Sequence, residues 1–227
     1  MAVSCLYDNA RLCLDICSQI SSFPIPTVLE SCAKYFFEVD GGKKIRPAMI
    51  LGVAYALNSQ VNKQPRLDAA AVNEATDPLG PYGQGCSPAQ KRMAEIAEMI
   101  HTASLFHDDV IDKASTRRNV SSVNQVFGNK LAILGGDFLL SRASVALARL
   151  RNFECVELIS TVIEHLVKGE VMQMKPSEAG MSGLEYYLRK NYYKTASLMG
   201  NSSLAAAVLG GHSEEEQRCC YLYGTYV

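Results

Sequence analysis

The chain has 227 residues, of which 48% are hydrophobic and 20% charged, a composition that supports one large core or two small ones. Lys and Arg number 22 against 23 Asp and Glu, a formal net charge of −1, so no basic excess exists to drive sequence-independent nucleic-acid binding. No uninterrupted apolar run approaches the roughly 18–20 residues a bilayer requires; disorder, collagen and membrane spanning are set aside.

In chain order, the first informative segment is Asp40-Gly41-Gly42-Lys43-Lys44-Ile45-Arg46-Pro47, leading into an apolar stretch over 48–57. The paired glycines allow close backbone approach. Lys43 and Arg46, three apart at a helix start, project on one face near the positive end of the helix dipole and resemble an anion site. The spacing is not that of a P-loop. From about 58 to 88 the sequence is polar and rich in Pro and Gly, with no sustained period, and is predicted to be a long, mobile connection between two helices.

Beyond it the helical period dominates. Residues 89–111, 137–151 and 154–174 place apolar side chains at three-to-four spacing, and 184–209 and 214–227 are also predicted helical, interrupted near Gly200 and at Gly210–Gly211. Apolar residues spread over more than one stripe suit interior helices of a bundle. The expected fold class is all-α, in one domain spanning 1–227. The eight cysteines form no C-x-x-C pair and have no His at zinc-finger spacing, so they read as reduced thiols packed as small hydrophobes.

The chemistry concentrates at His107-Asp108-Asp109-Val110-Ile111-Asp112, ending an apolar helix. Asp108 and Asp112 are four apart and share a face, with Asp109 adjoining. Crowded carboxylates repel one another unless a cation offsets them, and their oxygens suit Mg²⁺. Arg117 and Arg118 follow, in the side-chain type that captures phosphate oxygens bidentately. His101 lies about two turns before Asp108 and points toward the same side. Lys194-Thr195 puts another cation inside an apolar, aromatic segment, where an anionic partner is expected.

The ordered segments GGKKIRP, EMIHTASLFHDDVIDKASTRR, GNKLAILGGDFLLSRA and KTASL resemble the trans-isoprenyl diphosphate synthases, with wording nearest the long-chain polyprenyl members of decaprenyl or solanesyl type. The resemblance implies an isoprenoid synthase-type helical bundle. It also implies a Mg²⁺-dependent condensation of isopentenyl diphosphate onto an allylic diphosphate, serving the ubiquinone side chain. Carried across by motif, Asp108 and Asp112 bind Mg²⁺ with Asp109 supporting. Arg117, Lys194 and Thr195 hold the allylic diphosphate, and Lys43, Arg46, His101 and Arg118 hold isopentenyl diphosphate. Asp108, Asp109, Asp112 and Lys194 form the catalytic set.

Ala103 and Ser104, one turn before Asp108, stand where short-chain members place aromatic side chains; small residues there predict a long product, with Ile100 and Phe138 as deeper determinants. A homodimer or a heteromer with a second synthase subunit is implied, with at most peripheral membrane contact and no nucleic acid. Mitochondrial placement rests on the resemblance, since no transit peptide is visible; the alternative is cytoplasmic.

The family's second aspartate-rich motif falls about ten residues beyond a segment like 221–227, where this sequence stops. The bundle is therefore expected to be incomplete at its C-terminus and the chain to have little activity alone. The alternatives are a non-catalytic or regulatory subunit of such a synthase and a class I terpene cyclase. A cyclase has no use for an isopentenyl site.

Overall fold

The computed structural model describes residues 9–22, 24, 26–38, 44–60, 85–117, 119–174 and 182–227. Among them are α1 (Asn9–Ser21), α2 (Thr27–Glu38), α3 (Ile45–Gln60), α4 (Pro88–Ile111), α5 (Val123–Phe127), α6 (Asn129–Arg149), α7 (Phe153–Met174), α8 (Gly183–Asn191), α9 (Ser197–Leu209) and α10 (Glu214–Tyr226). A single π-helical turn, Tyr192–Ala196, joins α8 to α9. The all-α expectation holds, apart from one small hairpin of β1 (Thr116–Arg117) and β2 (Val120–Ser121), paired Thr116 to Ser121 and Arg117 to Val120.

The chain divides into two compact units, Met1–Pro47 with Glu95–Ala146, and Ala48–Ala94 with Leu147–Val227. In the first, α1 buries Leu12, Ile16 and Ile20, a four-residue stripe that gives a helix one apolar edge. Cys32, Ala33 and Phe37 of α2, Ile96, Met99, Ile100, Ala103 and Phe106 of α4, and Leu139 and Ala143 of α6 are also buried. Phe36 meets Phe106 edge to face at 5.4 Å between ring centroids, a favoured geometry of the aromatic quadrupole.

Helix α6 begins at Asn129, earlier than the expected 137. Its first turns contain Gly135 and Gly136, which serve close packing: a Cβ on Gly135 would lie 2.9 Å from Cys32 Sγ. This helix also meets the length and apolarity of a membrane span, which a search for uninterrupted apolar runs missed. Its burial of Ala132, Leu139, Ala143, Ala146 and Leu147 is that of a core helix.

In the second unit α9 is buried on nearly every side, from Ser197 through Ser203 and from Ala205 through Ala207, against α7 and α10. The interruption expected near Gly200 does not occur. The helix runs through it because the missing side chain admits α10: a Cβ on Gly224 would sit 2.6 Å from the Met199 carbonyl oxygen and 2.9 Å from Gly200 Cα. The break at Gly210–Gly211 is present, with Gly211 at φ +69°. Helix α10 then opens with a capping box in which Ser213 and Glu216 satisfy each other's backbone amides. Gln90 is fully buried, donating Nε2 to the Ala206 carbonyl at 2.9 Å and accepting from Ser87 N and Asn58 Nδ2 at 2.9 Å each. Of the connection expected over 58–88, residues 58–60 continue α3, and 61–84 lie outside the described residues.

Candidate active site

Helix α4 ends at Ile111, and Asp112 follows in a turn whose amide donates to the Asp108 carbonyl at 2.8 Å. Asp108 is half-buried and Asp112 exposed. Asp109 differs from both: it is fully buried and accepts Arg117 Nε at 2.9 and 3.1 Å and Nη2 at 2.7 Å. Arg117 reaches it from β1 of the hairpin. That hairpin is itself tied down by Ser122 Oγ and Asn124 Nδ2, both donating to the Ala114 carbonyl at 2.7 and 3.1 Å. The three aspartates therefore divide, with Asp109 as the counter-ion that orients a guanidinium and Asp108 and Asp112 as the acids sharing a face one turn apart. Among the described residues no three His, Cys, Asp or Glu side chains gather as a metal cluster. Two carboxylates match Mg²⁺, which takes one or two protein carboxylates and fills its remaining positions with water and phosphate oxygens.

Of the basic residues expected at an anion site, Arg46 lies in the first turn of α3 and His101 in α4, both half-buried. Lys43 and Arg118 lie outside the described residues. Lys44, directly before α3, has φ +45°. Its Nζ is 3.2 Å from Glu98 Oε1, with both side chains over nine-tenths buried, and 5.1 Å from the centre of the Phe37 ring. Ala103 is fully buried, and Ser104 donates its hydroxyl to the His101 carbonyl one turn back at 2.8 Å, which satisfies it within its own helix.

The second unit carries its own polar cluster. The π turn presents Lys194, whose Nζ donates to Glu170 Oε2 at 2.5 Å and to Gln173 Oε1 at 2.9 Å. Glu170 is the anionic partner that a half-buried ammonium in an apolar segment calls for. Glu170 and Gln173 are three apart on α7, so both face the same neighbour. The approach is close because Gly169 lacks a side chain: a Cβ there would lie 2.7 Å from Lys194 Cγ and 2.9 Å from its amide nitrogen. Thr195 is exposed. Around the turn, Tyr192 and Tyr221 share a hydroxyl hydrogen bond of 2.8 Å, His165 Nδ1 lies 2.7 Å from Ser197 Oγ, and the His165 ring packs on Tyr193 at 4.8 Å. Burial, reinforced by the Lys168 ammonium, lowers the His165 pKa below its usual value.

The family model described as Polyprenyl synthetase matches residues 26–227. The chain belongs to the polyprenyl synthetase family. It is 49% identical over 197 residues to a solanesyl-diphosphate synthase 1, mitochondrial, of Oryza sativa subsp. japonica, covering 86% of this chain and 44% of that protein. It is 43% identical over 192 residues to decaprenyl-diphosphate synthase subunit 1 of Schizosaccharomyces pombe, covering 80% and 50%. Among solved structures, the decaprenyl diphosphate synthase of Rhodobacter capsulatus superposes with a TM-score of 0.75 at 25% identity, over 96% of this chain and 58% of that one. The chain thus spans about half the length of the curated relatives it matches.

For this polyprenyl synthetase family member, reading the residues alone passed over Glu98, Glu170 and Gln173. Glu170 and Gln173 sit in a Gly-Glu-x-x-Gln run within an apolar helix, and a carboxylate there needs a cationic partner as much as Lys194 needs an anionic one. Glu98 gave the same signal in α4. The roles of Asp109 and Arg117 were expected separately; their direct pairing depends on a hairpin too short to leave a periodic trace.

Proposed function

We propose that this chain contributes the first acidic motif and the diphosphate-binding cations of a long-chain polyprenyl diphosphate synthase, which condenses isopentenyl diphosphate onto an allylic diphosphate. The observation that supports this is the pairing of buried Asp109 with Arg117 at the end of α4, the helix end that also carries Asp108 and runs into Asp112. Asp108 and Asp112 would hold Mg²⁺, which when bound neutralises charge gathering on the departing diphosphate. Arg117, oriented through Nε and one Nη, retains guanidinium donors for a phosphate oxygen. Lys194 and Thr195 take the allylic diphosphate in the family's manner, and Lys43, Arg46, His101 and Arg118 the isopentenyl diphosphate. Small Ala103 and Ser104 fit a long product.

The further parts of the reading rest on the relatives. Two matched relatives are named solanesyl and decaprenyl synthases, which supports a side chain of ubiquinone length. Several bear mitochondrial names, which supports that compartment. A relative named subunit 1 supports a heteromer, with a homodimer as the other arrangement. The family match runs through both compact units, which favours one catalytic domain.

The test is Mg²⁺-dependent incorporation of labelled isopentenyl diphosphate onto an allylic primer, beside an Asp108→Ala, Asp112→Ala control. Incorporation that the control abolishes supports a synthase, and its product gives the chain length. A folded chain that neither incorporates nor binds either diphosphate would refute the reading.

A further inference from the structure

Lys44 breaks three local rules at once. A lysine at φ +45° occupies the left-handed region that L side chains other than Asn, Asp and His seldom adopt. Standing directly before Ile45, the first residue of a 16-residue helix, it puts a cation at the positive end of the helix dipole and supplies no oxygen to cap the amides. Its ammonium is also buried, over the Phe37 ring. Glycine would suit the backbone better, and serine the helix start. Sequences keep such violations where function depends on them.

What offsets the violations is Glu98, buried in the middle of α4 and 3.2 Å from Lys44 Nζ. Glu98 lies three residues before His101, on the same helical face and one turn away. Lys44 lies two residues before Arg46. One buried ion pair therefore fixes the entry of α3 to the turn of α4 that carries His101, and so sets the spacing between Arg46 and His101.

We propose that Lys44 and Glu98 act as positioning residues for isopentenyl diphosphate: they touch no substrate, and their ion pair holds Arg46 and His101 at the separation a diphosphate requires. This rests on the assignment of Arg46 and His101 to that ligand. A diphosphate bridged by two cations needs both within a narrow range, and a shift of about 1 Å in a supporting group is enough to loosen such a site.

The test is calorimetric titration of the whole chain and its Lys44→Gly and Glu98→Gln variants with isopentenyl diphosphate. A parallel titration uses a non-hydrolysable allylic thiolodiphosphate with Mg²⁺. K44G relieves the backbone strain but strands the buried Glu98 carboxylate, so it is expected to melt below the wild type, whereas the K44G/E98Q double variant removes both charges and should melt close to it. The K44G dissociation constant for isopentenyl diphosphate should rise by at least about tenfold, the scale of lost supporting contacts, with the allylic analogue unaffected. E98Q should show the same selective loss, and the double variant should be no weaker than either single one. Wild-type affinity for isopentenyl diphosphate in either folded variant overturns the proposal, as does equal loss of both ligands. A large drop in the melting temperature of the double variant, with both charges gone, makes the pair a brace for folding and overturns it too. Absence of isopentenyl diphosphate binding by the wild-type chain removes the site assignment itself, a result separable from failure of the anchor.

Discussion

Asp109 and Arg117 form a two-pronged ion pair in which the carboxylate is entirely buried and the guanidinium side chain is 28% exposed. Removing one partner of a buried pair leaves an uncompensated charge behind. Asp109→Asn is expected to destabilise the fold by about 2–3 kcal/mol, the low end for a broken buried pair because water reaches Arg117. Asp112→Asn, by contrast, lies exposed just past the same helix end, relieves repulsion there and should leave stability unchanged or raise it by roughly 0.2–0.5 kcal/mol. Urea denaturation of the two variants decides this: equal losses would mean that the neighbouring acids are not divided between the two jobs.

The α9–α10 contact has no room for a methyl group. Gly224→Ala would press Cβ against the Met199 carbonyl and Gly200 Cα, backbone atoms that cannot swing aside, and should cost about 1–3 kcal/mol through overpacking. Gly52→Ala is the control, because its Cβ would meet nothing within 4 Å and it sits inside α3. It should stabilise by about 0.5–1 kcal/mol through helix propensity. Thermal melts of the pair should move in opposite directions.

Stability should also depend on pH through His165. Its folded pKa lies below the ordinary histidine value of 6.5, chiefly through burial and then the Lys168 charge. Below 6.5 the unfolded chain therefore takes up a proton that the folded chain resists. The stabilisation is complete above 6.5 and is lost as pH falls from there through the folded value. Replacing His165 with Gln should flatten that part of the stability curve. An imidazole titrating at or above 6.5 by NMR would contradict the placement.

Thiol reactivity should separate by environment. Burial pushes the Cys155 thiol up to about 12 and the Cys32 thiol to about 11, whereas Cys219 is exposed. Because the thiolate is the nucleophile, iodoacetamide at neutral pH is expected to label Cys219 first and to reach Cys32 and Cys155 only on unfolding. Mass spectrometry of partially labelled protein reads this directly.

Helices with a sustained period were legible from sequence: 89–111 and 154–174 match α4 and α7 to within a residue. One misreading fell at a glycine. Gly200 looked like an interruption, because propensity counts a missing side chain as a penalty, whereas tertiary packing uses the same absence to bring two helices together. The acidic motif was legible because three carboxylates on an apolar helix demand an explanation. Which of them pairs with an arginine was not, since that depends on where a hairpin of two two-residue strands lands. Glu98 and Glu170 were passed over because single acids in long helices look like solvated surface until their burial is known.

The π turn at Tyr192–Ala196 holds one residue more than an α-helix spends on the same rise. It works as a register offset. Deleting one residue within it would restore α-helical bonding and rotate α8 by about 100° around the common axis relative to α9. Tyr186, whose hydroxyl now donates to the Met172 carbonyl at 2.7 Å, would then point away from α7. Both orientations cannot be met by one uninterrupted α-helix, so the extra residue lets two stretches of the same rod answer to the same neighbour.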